Sequence, residues 1–106
     1  MGHISVIGSC NMDITVEADR RPGAGETVMG NRLIVSPGGK GANQAVAAAR
    51  LGYEVYMVGC VGDDAYGKMM LEALTKSGVK TDYVETLDNV TTGTAHITLA
   101  EGDNSI

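Results

Sequence analysis

The sequence is poor in aromatic residues, cysteine and proline, and its basic residues are scattered. Its 106 residues include four tyrosines, no phenylalanine or tryptophan, two cysteines and two prolines. A net charge of −5 argues against a nucleic-acid partner, because phosphate binding needs a cluster of lysine and arginine. No apolar run approaches the roughly 20 residues of a membrane-spanning helix. We therefore expect neither nucleic acid nor membrane as a partner.

The few cysteines and histidines predict neither a disulfide framework nor a metal site. Cys10 and Cys60 lie far apart in the chain, and His3 and His96 have no ligand-like spacing to them or to each other. Free thiols are the norm in a reducing compartment. Because the N-terminus also lacks the basic segment and apolar stretch of a secretory signal, we expect a cytoplasmic location.

Short apolar runs alternate with helical patterns, which predicts an α/β fold with a parallel sheet. Strands are expected at Ile4–Ile7 and Val55–Val61, with a helix from Lys40 to Leu51 between them. This order implies a right-handed βαβ unit. A second helix is predicted over Ala65–Lys76. Further strands are expected at residues 15–18, 27–36, 82–87 and 94–100.

The segment from Gly38 to Ala45, with the sequence Gly-Gly-Lys-Gly-Ala-Asn-Gln-Ala, is the most informative part of the chain. Glycines let a ligand approach the backbone, and a helix start offers free N–H groups, to which Lys40 adds a positive charge. The segment is not a P-loop, because Gly41 follows the lysine where Ser or Thr is required. Gln44 replaces the third glycine of a dinucleotide-binding fingerprint. A tight turn into a packed helix is the simpler alternative.

Two polar residues directly after the first strand are candidate ligand-binding residues. Asn11 and Asp13 follow the carboxyl end of that strand, where open α/β sheets bind their ligands. A carboxylate accepts two hydroxyl groups, and an amide both donates and accepts, which are the interactions a sugar needs. A polar cap between strand and turn is the alternative. Asp63 and Asp64 together could bind a metal. We favour the alternative in which Asp64 caps the second helix.

Several segments resemble the N-terminal signature of the ribokinase-like (PfkB) carbohydrate kinases. The main ones are Gly38–Ala45, Arg50–Gly52 and Gly59–Gly67. Gly8–Asp13 is similar to the opening strand of that family, and Pro22–Thr27 is similar to its Pro-Gly-x-Gly-Glu-Thr segment. The resemblance covers essentially the whole chain, and its glycine loop is of the form found in the ribose-phosphorylating branch.

The resemblance implies a fold and a function. The fold is a ribokinase-like α/β sandwich with a parallel βαβ core and a small β-sheet lid, here near residues 15–18, 27–36 and 94–100. Residues 1–106 would form its N-terminal portion, about a third of the family fold. The function is ATP-dependent phosphorylation of ribose at its 5-hydroxyl, with a homodimer formed through the lid. A kinase for another furanose, such as a nucleoside or fructose, and a non-catalytic binding or dimerisation fragment stay open.

The resemblance also implies which residues bind the sugar. Asn11 and Asp13 would bind ribose hydroxyls from one side, and Gly39, Lys40 and Asn43 from the other. The other assigned positions would act through backbone and packing; they are Met12, Gly41 and Ala42.

The resemblance places the cofactors outside this chain. ATP, Mg²⁺ and a monovalent cation such as K⁺ are implied for the complete enzyme. The family's second signature, Asp-Thr-x-Gly-Ala-Gly-Asp, carries the catalytic base and an anion hole, and the 106 residues do not contain it. No catalytic residue is therefore assigned here. We expect the chain alone to be inactive and to bind none of these cofactors.

Overall fold

The computed structural model describes residues 2–106, and these form seven strands and two helices. In chain order they are β1 (Ile4–Ile7), β2 (Asn11–Glu17), β3 (Arg32–Gly38), α1 (Lys40–Arg50), β4 (Val55–Gly62), α2 (Ala65–Lys76), β5 (Val79–Leu87), β6 (Thr94–Ala100) and β7 (Asp103–Ser105). Among these residues, no helix is long and apolar enough to cross a membrane. The strands divide into two sheets, which we call the core sheet and the lid sheet.

The core sheet has the order β1-β4-β5, and both strand pairs are parallel. Helix α1 connects β3 to β4, and α2 connects β4 to β5, so the predicted α/β fold with a parallel sheet is confirmed. The two helices bury small and flexible side chains against this sheet, including Ala45, Met70 and Leu74. Val55 and Met57 of β4 are fully buried beneath them. Aliphatic and methionine side chains thus supply the core volume that aromatic residues do not.

The lid sheet has the order β3-β2-β6-β7. Strand β2 pairs antiparallel with β3 and parallel with β6, and β6 forms an antiparallel hairpin with β7. Among residues 2–106, the main hydrophobic cluster contains no side chain from these four strands. The radius of gyration is 16.0 Å, whereas a compact domain of this length has about 13 Å. The elongated shape follows because the lid does not share the core of the parallel sheet.

The lid strand predicted at residues 27–36 begins only at Arg32, so the prediction was wrong for residues 27–31. Residues 27–31 have no partner strand, since pairing with β2 starts at Arg32 opposite Glu17. The backbone N–H of Asn31 donates to the carbonyl of Glu17 at 2.7 Å and closes the connection at that point. The sequence prediction therefore extended the strand beyond its hydrogen-bonding partner.

The lid strand predicted at residues 15–18 begins four residues earlier, at Asn11. The added residues pair on both sides, because Asn11 lies opposite Gly38 of β3 and Met12 lies opposite Thr94 of β6. Asn11 and Asp13 are thus strand residues rather than loop residues, which corrects the sequence prediction. They still follow β1 closely, and they stand at the junction of core and lid.

Candidate functional site

A cleft of about 420 Å³ opens where the lid sheet meets the start of α1. The β1–β2 connection and β2 form one wall, the β3–α1 connection and the first turn of α1 form another, and β6 contributes apolar side chains. The lining residues are Ser9, Asn11, Asp13, Gly39, Lys40, Asn43, Ala95, Ile97 and Ile106. The structure therefore brings five of the predicted binding residues to one cleft from two separate segments of the chain.

Four polar side chains of this cleft have no partner within residues 2–106. Asn11 and Asp13 are half-buried, and Lys40 and Asn43 are exposed. None of the four takes part in a hydrogen bond or ion pair made by side chains in this range. Half-buried polar groups lose some contact with water, so a partner from outside the chain stabilises them. The set is consequently available to a polar ligand.

Glycines let the chain segments around the cleft approach one another. Gly39 precedes α1 with φ of 100°, a conformation that L side chains rarely adopt, and a Cβ there would lie 2.6 Å from the Ser9 carbonyl oxygen. A Cβ on Gly41 would lie 2.8 Å from the Ser9 backbone nitrogen. The Ser9 carbonyl also accepts a 3.0 Å hydrogen bond from the N–H of Ala42. One N–H group of the first helical turn is thereby used within the fold rather than offered to a ligand.

The other three predicted positions lie behind the cleft wall. Met12 is 0% exposed, Ala42 is 3% exposed, and Gly41 is buried against the β1–β2 connection. The structure does not bring these three side chains to the cleft, so a direct role in ligand binding stays a prediction for them.

Sequence reasoning missed Ser9 and the apolar residues of β6 as cleft residues. Ala95 and Ile97 alternate with polar residues along β6, and both line the cleft. That alternation indicated a covered face, but the parallel pairing of β6 with β2 was needed to place it beside Asp13. Ser9 could have been found from its position directly after the first strand.

Asp64 is confirmed as the N-cap of α2. Its Oδ1 accepts a 2.9 Å hydrogen bond from the N–H of Gly67, and the same carboxylate accepts bonds from the hydroxyl and the N–H of Thr92. The hydroxyl of Thr92 is the main reason that the pKa of Asp64 lies below its usual value. Within residues 2–106, no three His, Cys, Asp or Glu residues are grouped as metal ligands.

The two cysteines are free, and one of them lies beside the cleft wall. Cys10 is buried, and this burial raises the pKa of its thiol, with a smaller contribution from Cys60. A thiol with a raised pKa is a poor nucleophile at neutral pH. The chemistry of the cleft therefore rests on its carboxylate, ammonium and amide groups.

Taken together, the cleft has the groups that bind a small molecule with several hydroxyls. The Asp13 carboxylate accepts two hydrogen bonds, the Lys40 ammonium donates, and the amides of Asn11 and Asn43 do both. The aliphatic side chain of Ile97 adds an apolar surface to the cleft. These groups are suited to holding and orienting such a ligand.

Known proteins are similar to this chain in sequence and in fold. The model of the pfkB family carbohydrate kinases matches residues 1–106. A ribokinase of Bacillus subtilis (strain 168) is 62% identical over 106 residues, which are 100% of this chain and 36% of that protein. The structure of Arabidopsis thaliana ribokinase complexed with ribose and ATP superposes with a TM-score of 0.87 at 44% identity, covering 97% of this chain and 34% of that one. A ribokinase from Thermotoga maritima superposes with a TM-score of 0.90 at 36% identity, covering 99% and 35%.

The chain spans about a third of the length of the curated relatives it matches. The two ribokinase structures superpose on nearly the whole chain, which includes both of its sheets, so the fold predicted from the resemblance is confirmed. Because the family model covers all 106 residues, the chain belongs to the pfkB family of carbohydrate kinases.

Proposed function

We propose that this chain is the sugar-binding part of a longer protein, an ATP-dependent ribose 5-kinase. The observation that carries the proposal is the group of four unpartnered polar side chains, Asn11, Asp13, Lys40 and Asn43, in the cleft between lid and core. Their chemistry suits the hydroxyls of a furanose. The ribokinases among the relatives, one of them in complex with ribose and ATP, support ribose as the substrate and ATP as the phosphoryl donor.

In this proposal the chain binds and orients the acceptor sugar. Asp13 and Asn11 bind hydroxyls from the lid side, and Lys40 and Asn43 bind from the start of α1. Phosphoryl transfer also requires a base for the 5-hydroxyl and groups that stabilise the transferred phosphate. We assign these groups, together with the sites for ATP, Mg²⁺ and a monovalent cation, to residues outside this chain.

We further propose that two copies associate through their lids. Val16 and Leu33 lie opposite each other on β2 and β3, with Val35 two residues farther along β3. Val16 is 37% exposed, Leu33 is 64% exposed and Val35 is 36% exposed. Neighbouring exposed aliphatic side chains on one sheet favour a protein partner. A cytoplasmic location is part of the same proposal.

A substrate panel tests the proposed function. The complete protein, meaning the longer protein that contains this chain, is assayed with MgATP and ribose, 2-deoxyribose, fructose, other pentoses and nucleosides. We expect the highest kcat/KM with ribose and formation of ribose 5-phosphate. A higher kcat/KM with a nucleoside or fructose would favour the related furanose kinases. Absence of phosphorylation with every sugar would contradict the kinase proposal and favour a binding module.

A further inference from the structure

A buried threonine ties the loop before the lid strand β6 to the start of α2. Thr92 is 4% exposed and is the one buried polar side chain within residues 2–106. Its hydroxyl donates to Asp64 Oδ1 at 2.6 Å, and its N–H donates to Asp64 Oδ2 at 3.0 Å. The same hydroxyl accepts a 3.0 Å bond from the N–H of Gly62. We call these three hydrogen bonds the Asp64–Thr92 clasp.

Two glycines leave room for the clasp. A Cβ on Gly62 would lie 2.6 Å from the Thr92 nitrogen, and a Cβ on Gly67 would lie 3.2 Å from the Thr92 hydroxyl. Residues 62–67 have the sequence Gly-Asp-Asp-x-x-Gly, which the proposed sugar contacts do not explain. This segment contains the two glycines and the carboxylate that the clasp requires. A charge-assisted hydrogen bond to a carboxylate is stronger than a neutral one, so Thr92 is firmly placed.

The clasp leads directly to the cleft through the next residue. The carbonyl of Gly93 accepts a 2.9 Å hydrogen bond from the N–H of Met12, at the point where β6 begins to pair with β2. The side-chain amide of Asn11 packs against Gly93 so closely that a Cβ there would lie 2.7 Å from Asn11 Oδ1. Asn11 is one of the unpartnered residues that line the cleft. Gly93 therefore limits the space that the Asn11 amide can occupy at the cleft.

We propose that Asp64 and Thr92 are positioning residues for sugar binding. They hold Gly93, and Gly93 in turn supports the Asn11 amide where it meets the sugar. Neither Asp64 nor Thr92 lines the cleft itself. The inference rests on the proposed function, because the effect it describes is on ribose binding by Asn11.

Calorimetric titration of the complete protein with ribose and, separately, with MgATP tests the inference. Thr92→Val preserves side-chain volume and removes the hydroxyl, so we expect the Kd for ribose to rise about tenfold while that for MgATP stays nearly unchanged. Thr92→Ser retains the hydroxyl and is expected to restore most of the ribose affinity. Thr91→Val is the matched control, because Thr91 is the exposed neighbour and belongs to no clasp hydrogen bond.

Two further variants separate positioning from a general loss of stability. In an Asn11→Ala background, Thr92→Val should weaken ribose binding no further, because the residue through which it acts is already gone. Gly93→Ala leaves the clasp groups in place but pushes on Asn11, and it should weaken ribose binding with little change in Tm. If Thr92→Val does not fold, unchanged ribose affinity in Gly93→Ala still overturns the inference.

The outcomes distinguish the inference from the proposed function. Equal ribose affinity in the unmodified protein and in folded Thr92→Val would overturn the inference alone, as would unchanged affinity in Gly93→Ala. An additional effect of Thr92→Val in the Asn11→Ala background would likewise count against it. No ribose binding by the unmodified complete protein would overturn the proposed function, and this inference with it.

Discussion

The carboxylate of Asp13 lies against the backbone of Gly38, so close that a Cβ at residue 38 would stand 2.6 Å from Asp13 Oδ1. The two residues belong to the paired strands β2 and β3, where Gly38 lies opposite Asn11. Glycine at the end of β3 thus provides the space in which the Asp13 carboxylate sits. The glycine segment contributes to the cleft by leaving room for a neighbouring acidic group as well as for a ligand.

Replacing Asp13 is expected to impair ribose use in the complete protein. Two charge-assisted hydrogen bonds to sugar hydroxyls are each worth about 1.5–3 kcal/mol, so Asp13→Ala should lower kcat/KM for ribose by roughly 10²-fold or more. Asp13→Asn exchanges one hydrogen-bond acceptor for a donor and should also lower kcat/KM for ribose, with less effect on packing. The KM for ATP serves as the internal control. A folded but less stable variant with a normal KM for ribose would identify Asp13 as a structural carboxylate.

Replacing Gly38 tests the close approach directly. Gly38→Ala adds one methyl group that overlaps the Asp13 carboxylate, and displacement of that group should raise the KM for ribose by about tenfold. Gly23→Ala is the matched control, because the nearest atom to a Cβ there is Glu26 Oε1 at 3.9 Å. Kinetics for both variants would check this. Equal ribose KM values for Gly38→Ala and Gly23→Ala would count against a functional role for this contact.

The lowered pKa of Asp64 predicts how stability depends on pH. Hydrogen bonds from the Thr92 hydroxyl and then the Thr92 N–H favour the charged carboxylate in the folded state. The folded protein therefore binds this proton less readily than the unfolded chain, whose aspartates titrate near pH 4. The resulting stabilisation is fully present above that pH and is lost as the pH falls through the lowered folded pKa of Asp64.

Thermal unfolding of Asp64→Asn and of the unmodified protein at neutral and strongly acidic pH measures this effect. We expect a lower Tm for Asp64→Asn at neutral pH and a smaller difference at acidic pH, where the native carboxylate is protonated. Asp82→Asn, which removes an exposed carboxylate from β5, controls for the loss of one negative charge. If the Tm difference between Asp64→Asn and the unmodified protein stays constant with pH, ionisation of the Asp64 carboxylate does not contribute to stability as assigned here.

Features determined by neighbouring residues could be predicted from the sequence. Helix α2 was expected at Ala65–Lys76 and has those bounds, because its N-cap Asp64 acts on Gly67 only three residues away. The bounds of the lid strands depend on distant partners and were less accurate. Strand β3 begins at Arg32 because Glu17 of β2 lies opposite, and the local sequence at residues 27–31 does not reveal this pairing.

In the candidate site, too, features that depend on neighbouring residues were predictable and features that depend on distant partners were not. The sequence predicted Asn11 and Asp13 as site residues because they follow a strand, and Lys40 because it lies at the start of a helix. All three residues line the cleft. The role of Thr92 could not be predicted, because its partner Asp64 is 28 residues away and the two residues meet only in the folded chain. The apolar contribution of Ile97 likewise required the β2–β6 pairing.

The isolated chain is expected to have no kinase activity. It contains the cleft residues that we propose bind a sugar, but the Asp-Thr-x-Gly-Ala-Gly-Asp signature that carries the family's base and anion hole is absent from its 106 residues. Purified chain incubated with ribose and MgATP should release no ADP above the rate without ribose. Ribose-dependent ADP formation by highly purified chain would contradict the assignment of these groups to another part of the protein.

A crystal structure of the complete protein with ribose tests the central claim most directly. The account predicts ribose in the cleft between lid and core, with hydroxyl oxygens about 2.5–3.0 Å from the Asp13 carboxylate and the ring near Ile97. Asn11, Lys40 and Asn43 should make the remaining polar contacts. Ribose bound at another position, with these four polar side chains untouched, would contradict the claim that this cleft is the sugar site.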